Sequence, residues 1–299
     1  MNENPQKNMM TIKGFTKRHR LLIYFFLVFA ISWGGMLLVI AAAGGTAFPA
    51  RGEEIGRLIG PVYAVWLMGP AVAGILFITL THGRAGLREL LARLLKWRVG
   101  AGWFAVALLT APLLISAILF ALSLTSSDFL PRLYAAGDRA SLLQFGIVAG
   151  LMVAIFEELG WTGFVVPSLR LRYGVFKTGL FLGFMWCAWR SLVVFWASGD
   201  SPGGLSPFLF VATVVFTWLP ASRVLMVWVY DRTGSLLVTM LMHASFVTFW
   251  TILTPLTVVG VPLVTYYLVL AAALWLVVAA VFMVSRRRLP VQAPRRRLA

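Results

Sequence analysis

The 299-residue sequence contains one cysteine, Cys187, which excludes an intrachain disulfide framework. With no CxxC pair and no Cys/His cluster it offers no structural zinc site either. Charge is scarce: charged residues are 12% of the chain, about half the usual share. Acidic residues are scarcest, 10 Asp and Glu against 26 Lys and Arg, for a net charge of +16. On a soluble chain that excess would point to nucleic acid. Here the basic residues sit in short loops and tails between apolar runs, a pattern of membrane topology, so nucleic acid is set aside as a partner. There is no internal repeat of solenoid length and no low-complexity segment apart from the basic C-terminal tail.

What the chain has instead is apolar length. Hydrophobic residues make up 60% and the mean hydropathy is +0.88, a composition that predicts an all-α polytopic membrane protein. At about 20 apolar residues per span, eight candidates stand out: 21–43, 58–81, 102–124, 141–165, 175–197, 206–230, 235–253 and 262–285. The first run exceeds a signal-peptide core of about 7–15 residues and is read as an uncleaved span. Pro220 predicts a kink in the sixth, or two shorter helices.

With the N-terminus in the cytoplasm, the inner segments hold most of the basic residues: Lys7 to Arg20, Arg84 to Arg98, Arg170, Arg172, Lys177, Arg232 and the tail from Arg286. The outer loops keep only Arg51, Arg57, Arg132 and Arg139. This asymmetry predicts a multi-pass plasma-membrane protein with both termini cytoplasmic, in contact with membrane lipid. Leu87, Leu90, Leu91, Leu94 and Leu95 recur at helical spacing among Arg88, Arg93 and Lys96, which predicts an interfacial amphipathic helix over 82–98. The expected organisation is a basic tail (1–20), N-terminal spans (21–139), a core (140–253), a last span (254–285) and a basic tail (286–299).

Ionisable residues inside spans are costly, and each marks a functional hypothesis. They are Glu157 and Glu158 in the fourth span, Arg190 in the fifth, Arg223 in the sixth and His243 in the seventh. Glu157 lies 13 residues before Arg170, and Arg190 lies 13 after Lys177, each about 20 Å from the inner end of its helix. His243, 8 residues after Ser235, lies about 12 Å in. The three can therefore meet in the cytoplasmic half. Arg223, after the Pro220 kink, is expected to reach the interface by snorkelling. A buried glutamate in such company can act as a general base toward water; the plain alternative is an ion pair that pins helices together. A lone His on an apolar helix is most often a packed, hydrogen-bonded residue. Cys187 reads as a small apolar filler, and Gly179 and Gly183 as a GxxxG pair that permits close helix approach.

The stretches EELGWTGFVVPSLRLRYG, FLGFMWCAWRSLVVFW and VLMVWVYDRTGSLLVTMLMHASF, in that order, resemble the CPBP family of CAAX prenyl protease and bacteriocin-processing (Abi) intramembrane endopeptidases, over roughly residues 140–250. The resemblance implies about eight transmembrane helices around an intramembrane cavity open toward the cytoplasmic side. It implies hydrolysis of a hydrophobic or lipidated peptide or protein substrate. By the EExxxR motif, Glu157 is the water-activating base and Glu158 its supporting neighbour. His243 matches the histidine of HxxxN/D, which holds the oxyanion. Three positions depart: Thr162 stands for the motif arginine, Arg190 for the histidine of FxxxH, and Val247 for the final Asn or Asp. Arginine stays protonated and cannot accept a proton as histidine does. Val247 lacks an oxyanion donor, a loss of roughly 2.7–4 kcal/mol in transition-state stabilisation. With Thr162 and Arg190 together, the motif cation is expected to have moved one helix along, which would place Arg190 against Glu157 or Glu158.

Glu157 and His243 are too few ligands for a catalytic zinc, which usually has three, so no metal or other cofactor is expected. Three functions follow from the residues. The first is an intramembrane endopeptidase using Glu157, Glu158, His243 and Arg190. The second is a silent relative that binds a membrane peptide or serves immunity. The third is a small transporter, for which the sequence shows no inverted repeat.

Overall fold

The computed structural model describes residues 19–45, 48–50, 52–255 and 258–287, and among them the chain is all-helical with no strand. The basic tails to residue 18 and from residue 288, with Arg51, lie outside the described residues. Among the described residues eight helices are long and apolar enough to cross a membrane. They are α1 (His19–Ala42), α2 (Glu53–Leu94), α3 (Ala101–Ser123), α4 (Arg139–Arg170), α5 (Val175–Trp196), α6 (Pro207–Thr233), α7 (Leu236–Leu253) and α8 (Gly260–Ser285).

Local chemistry sets the helix ends. Asp138 caps α4, accepting from the Ser141 amide at 2.9 Å and the Ser141 hydroxyl at 2.5 Å. Those hydrogen bonds hold the Asp138 carboxyl below its ordinary range, so the cap is ionised at neutral pH. Helix α6 stops at Gly234, whose φ of 59° is the left-handed conformation that closes a helix. Ser235 then caps α7 through the Val238 amide at 3.2 Å. Within α6 the chain breaks after Phe216 and resumes at Leu219, with Pro220 in the first turn of the second piece. The Pro220 kink therefore takes the form of two helices end to end.

Helix α2 runs past the expected span to Leu94, with non-helical geometry at Gly83 (φ 57°, ψ −145°). The amphipathic run is the piece beyond that break. Leu90 is buried against the bundle, whereas Leu91, Leu95 and Trp97 are exposed.

Connections gather at two ends. At one end, Arg93 donates to the Tyr230 hydroxyl at 2.9 Å, Ser235 Oγ to the Lys96 carbonyl at 2.7 Å, and Arg170 pairs with Asp231 at 2.6 Å. At the other end, the Ala50 amide donates to the Trp196 carbonyl at 2.9 Å and Arg132 to the Thr251 carbonyl at 3.4 Å. The helices thus alternate up and down, and the basic links α2–α3, α4–α5 and α6–α7 share one end.

Helices α4 to α7, with α2, form the interior. Close backbone approach sets two of their contacts. A Cβ at Gly74 would stand 2.7 Å from the Gly160 Cα, which locks α2 to α4 just after the glutamates. A Cβ at Gly179 would stand 2.6 Å from the Val224 Cα, and one at Gly183 would stand 2.7 Å from the Pro220 Cα. The small residues of GLFLG let α5 lie directly on the second half of α6. Gly179→Leu must push these helices apart and is expected to destabilise by ~1–3 kcal/mol. Gly102→Leu, with nothing within 4 Å of its added Cβ, is the control. Thermal unfolding in detergent should separate the two.

Candidate active site at the glutamate pair

Glu157 and Glu158 occupy the turn of α4 that precedes a π-helical turn, Trp161–Val165. Such turns are rare and recur at functional sites. Both glutamates have 0% of their surface exposed. Adjacent helix positions point about 100° apart, so the two carboxylates find separate partners.

Glu157 accepts from Arg190 Nη2 at 2.7 Å on Oε1 and from the Trp186 indole N–H at 2.5 Å on Oε2. Arg190 is the least buried member, with 19% of its side chain exposed. Its guanidinium lies over two indoles, 5.5 Å from the centre of Trp66 and 5.1 Å from that of Trp186. Trp66 itself stacks on Trp189 at 3.7 Å, so α2 and α5 together build the wall behind Arg190.

Glu158 is held more completely. Arg223 Nη1 reaches its Oε1 at 2.8 Å and its Oε2 at 2.9 Å. His243 Nδ1 lies 2.8 Å from Oε1, and the Thr162 hydroxyl donates to Oε2. The Arg223 guanidinium also covers Trp186, 4.2 Å from its ring centre, and the His243 ring meets Trp186 edge-on at 5.3 Å. Trp186 therefore meets Glu157, both guanidiniums and the imidazole. It donates to one glutamate, carries both guanidiniums as cation–π partners, and packs on the imidazole.

The four candidates, Glu157, Glu158, Arg190 and His243, are thus brought together, and the depth estimates from helix rise explain why. Arg190 faces Glu157 within hydrogen-bond distance, one of the two arrangements expected. Arg223 corrects the sequence reading. It is 0% exposed and bonded to Glu158, not snorkelling to the interface. The break at Thr217–Trp218 restarts α6 inside the bundle, so Arg223 stands one turn into a buried helix packed on α5.

Trp186 and Trp66 also escaped the sequence reading. Trp186 lies one helical turn before Arg190, a spacing that signals a tryptophan–arginine pair, but the signal was lost among the 12 tryptophans. Val247, one turn after His243, contributes only a carbonyl, which accepts from Thr251 at 2.7 Å. Cys187 is fully buried, with its thiol 3.3 Å from the Val215 carbonyl. Among the described residues no group of three His, Cys, Asp or Glu side chains is placed to hold a metal ion.

The arrangement is a desolvated centre with two carboxylates, two permanent cations and one imidazole. The expected cavity is filled at this point by side chains, since His243 is only 1% exposed. Buried carboxylates need such pairing to persist in an apolar bundle. Chemically, Glu157 is the carboxylate whose cation has room to move, and His243 keeps an unpartnered Nε2.

Comparison with known proteins finds similarity over the segment that holds this centre. The profile described as type II CAAX prenyl endopeptidase Rce1-like matches residues 139–249, which span α4 to α7 and contain every residue of the site except Trp66. CAAX prenyl protease 2 of Methanococcus maripaludis is 37% identical over 70 residues, 23% of this chain and 21% of that protein. The matched region thus spans about a fifth of the length of that curated relative. Through its α4–α7 segment the chain is thus similar to the Rce1-like CAAX prenyl endopeptidases.

Proposed function

We propose that this protein is a membrane-embedded endopeptidase of the CAAX prenyl protease type. It would hydrolyse a hydrophobic or lipidated peptide at the α4–α7 centre, in a plasma membrane with both termini cytoplasmic. The observation that carries the reading is the buried Glu157–Glu158 pair, met by Arg190 and His243 within the Rce1-like segment.

In the proposed reaction a water oxygen attacks the scissile carbonyl while Glu157 takes its proton. The carbonyl oxygen becomes an oxyanion. Collapse breaks the C–N bond, and the proton passes to the leaving amine. Arg190 must first withdraw from Glu157 Oε1, because the oxygen it occupies at 2.7 Å has to be free to accept from water. Its partial exposure gives it the freedom to do so. The displaced cation then lies near the carbonyl and offsets the donor that Val247 lacks. The Trp66–Trp186 sandwich limits the guanidinium to a short path over aromatic faces.

A second reading is favoured by one observation. In the present geometry both oxygens of Glu157 are engaged, one by Arg190 and one by Trp186. If Arg190 never withdraws, the protein binds a membrane peptide without cutting it.

Purified protein in proteoliposomes, given prenylated and unmodified C-terminal peptides, distinguishes the two. The endopeptidase reading expects turnover by the wild type and a loss of about 10²–10⁴-fold in Glu157→Gln. The silent reading expects no turnover by either, with cleavage gained only in Arg190→His combined with Val247→Asn. No cleavage by any of these proteins overturns the endopeptidase assignment.

The same pair makes a stability prediction. Arg190→Met leaves a buried, unpaired carboxylate and is expected to cost about 3–5 kcal/mol. Arg190→Met with Glu157→Gln removes both charges and should recover most of that loss. A double-mutant cycle on unfolding in detergent measures the coupling.

A further inference from the structure

We propose that Arg223 is a positioning residue: through the Glu158 carboxylate it decides which nitrogen of His243 carries the proton. The inference rests on the site assigned above, but its readout is a proton position and is independent of turnover.

Arg223, Glu158, His243 and Thr162 are each at most 1% exposed, so no bulk water competes for their hydrogen bonds. A single guanidinium nitrogen, Arg223 Nη1, bridges both Glu158 oxygens at 2.8 and 2.9 Å. A carboxylate held this way only accepts hydrogen bonds. Its Oε1 is also 2.8 Å from His243 Nδ1, so Nδ1 must be the donor. Neutral His243 then carries its lone pair on Nε2, and Nε2 has no hydrogen-bond partner although it is buried. The Trp186 ring, edge-on to the imidazole, blocks a ring flip that would exchange the two nitrogens.

If the cation is taken away, the buried carboxylate is stable only as the neutral acid, which has a proton to donate. It then donates to Nδ1, and the imidazole proton moves to Nε2. The identity of the group that faces a substrate, lone pair or N–H, is therefore written in Arg223 two contacts away.

Thr162 shows that the cation can be supplied from another backbone position. Its hydroxyl donates to the same Glu158 oxygen that Arg223 reaches, from one turn further along α4. An arginine at 162 paired with a small residue at 223 would present the same charge to the same carboxylate from within one helix. Arginine at both positions would crowd two cations onto it.

The test is ¹⁵N-histidine NMR of the full-length protein in detergent, with the His243 signal assigned by its loss in His243→Gln. The wild type is expected to show a protonated Nδ1 and an unprotonated Nε2. Arg223→Met is expected to shift the proton to Nε2 or give a mixture. Thr162→Arg combined with Arg223→Ser is expected to restore the wild-type pattern, and Thr162→Arg alone to lower the unfolding temperature. Where Arg223→Met does not fold, the double variant decides. A protonated Nε2 in the wild type overturns the proposal. So does a folded Arg223→Met with an unchanged pattern, or a double variant that fails to return it. If the tautomer behaves as expected and no peptide is cleaved, the endopeptidase reading fails and this one stands.

Discussion

Two adjacent carboxylates buried in an apolar bundle are the constraint around which the rest is arranged. An ion of that size, left unpaired in a low-dielectric interior, costs several kcal/mol. Side by side they also repel. The structure answers with one guanidinium per carboxylate, Arg190 for Glu157 and Arg223 for Glu158. The cations come from different helices, so the requirement for pairing fixes the positions of α5 and α6 relative to α4. Close backbone approach makes this reachable. Gly160 lets α2 in on one side of the pair, and Gly179 with Gly183 lets α6 lie against α5 on the other.

The asymmetry between the two pairs carries the functional argument. Glu158 is sealed, with four hydrogen-bond contacts from groups that are all buried. It is built to stay as it is. Glu157 has two contacts, one of them from the partly exposed Arg190. One carboxylate reads as scaffold and its neighbour as the one with freedom to change partner. The motif's second glutamate was expected to support the first.

Much of this was legible from the sequence because the signals are rare ones. Eight runs of bilayer length stand out in a chain with so little charge, and the structure has eight such helices. Glu157, Glu158, Arg190 and His243 were found because ionisable residues are conspicuous in spans, and their depths followed from helix rise. Arg223 was visible but misplaced. Its depth depends on where α6 restarts after the break, which the proline signals but does not locate. Trp186 was illegible for the opposite reason. Tryptophan is common in membrane spans, so nothing in its residue type marks the ring that carries both guanidiniums. The family resemblance supplied roles for the glutamates and for His243. It said nothing of Arg223, which lies outside its motifs, and it gave no role to position 186, the aromatic position of FxxxH four residues before Arg190.

Trp186 has a consequence for how the two halves of the centre communicate. One indole bears a guanidinium from each glutamate's ion pair and packs on the imidazole as well. The ring thus carries two cations, one from each ion pair. When one cation leaves, its repulsion of the other goes with it. Any coupling that runs through this ring between occupancy at Glu157 and grip at Glu158 is reciprocal in both directions. The indole also makes that linkage visible, because its emission senses the charges stacked upon it.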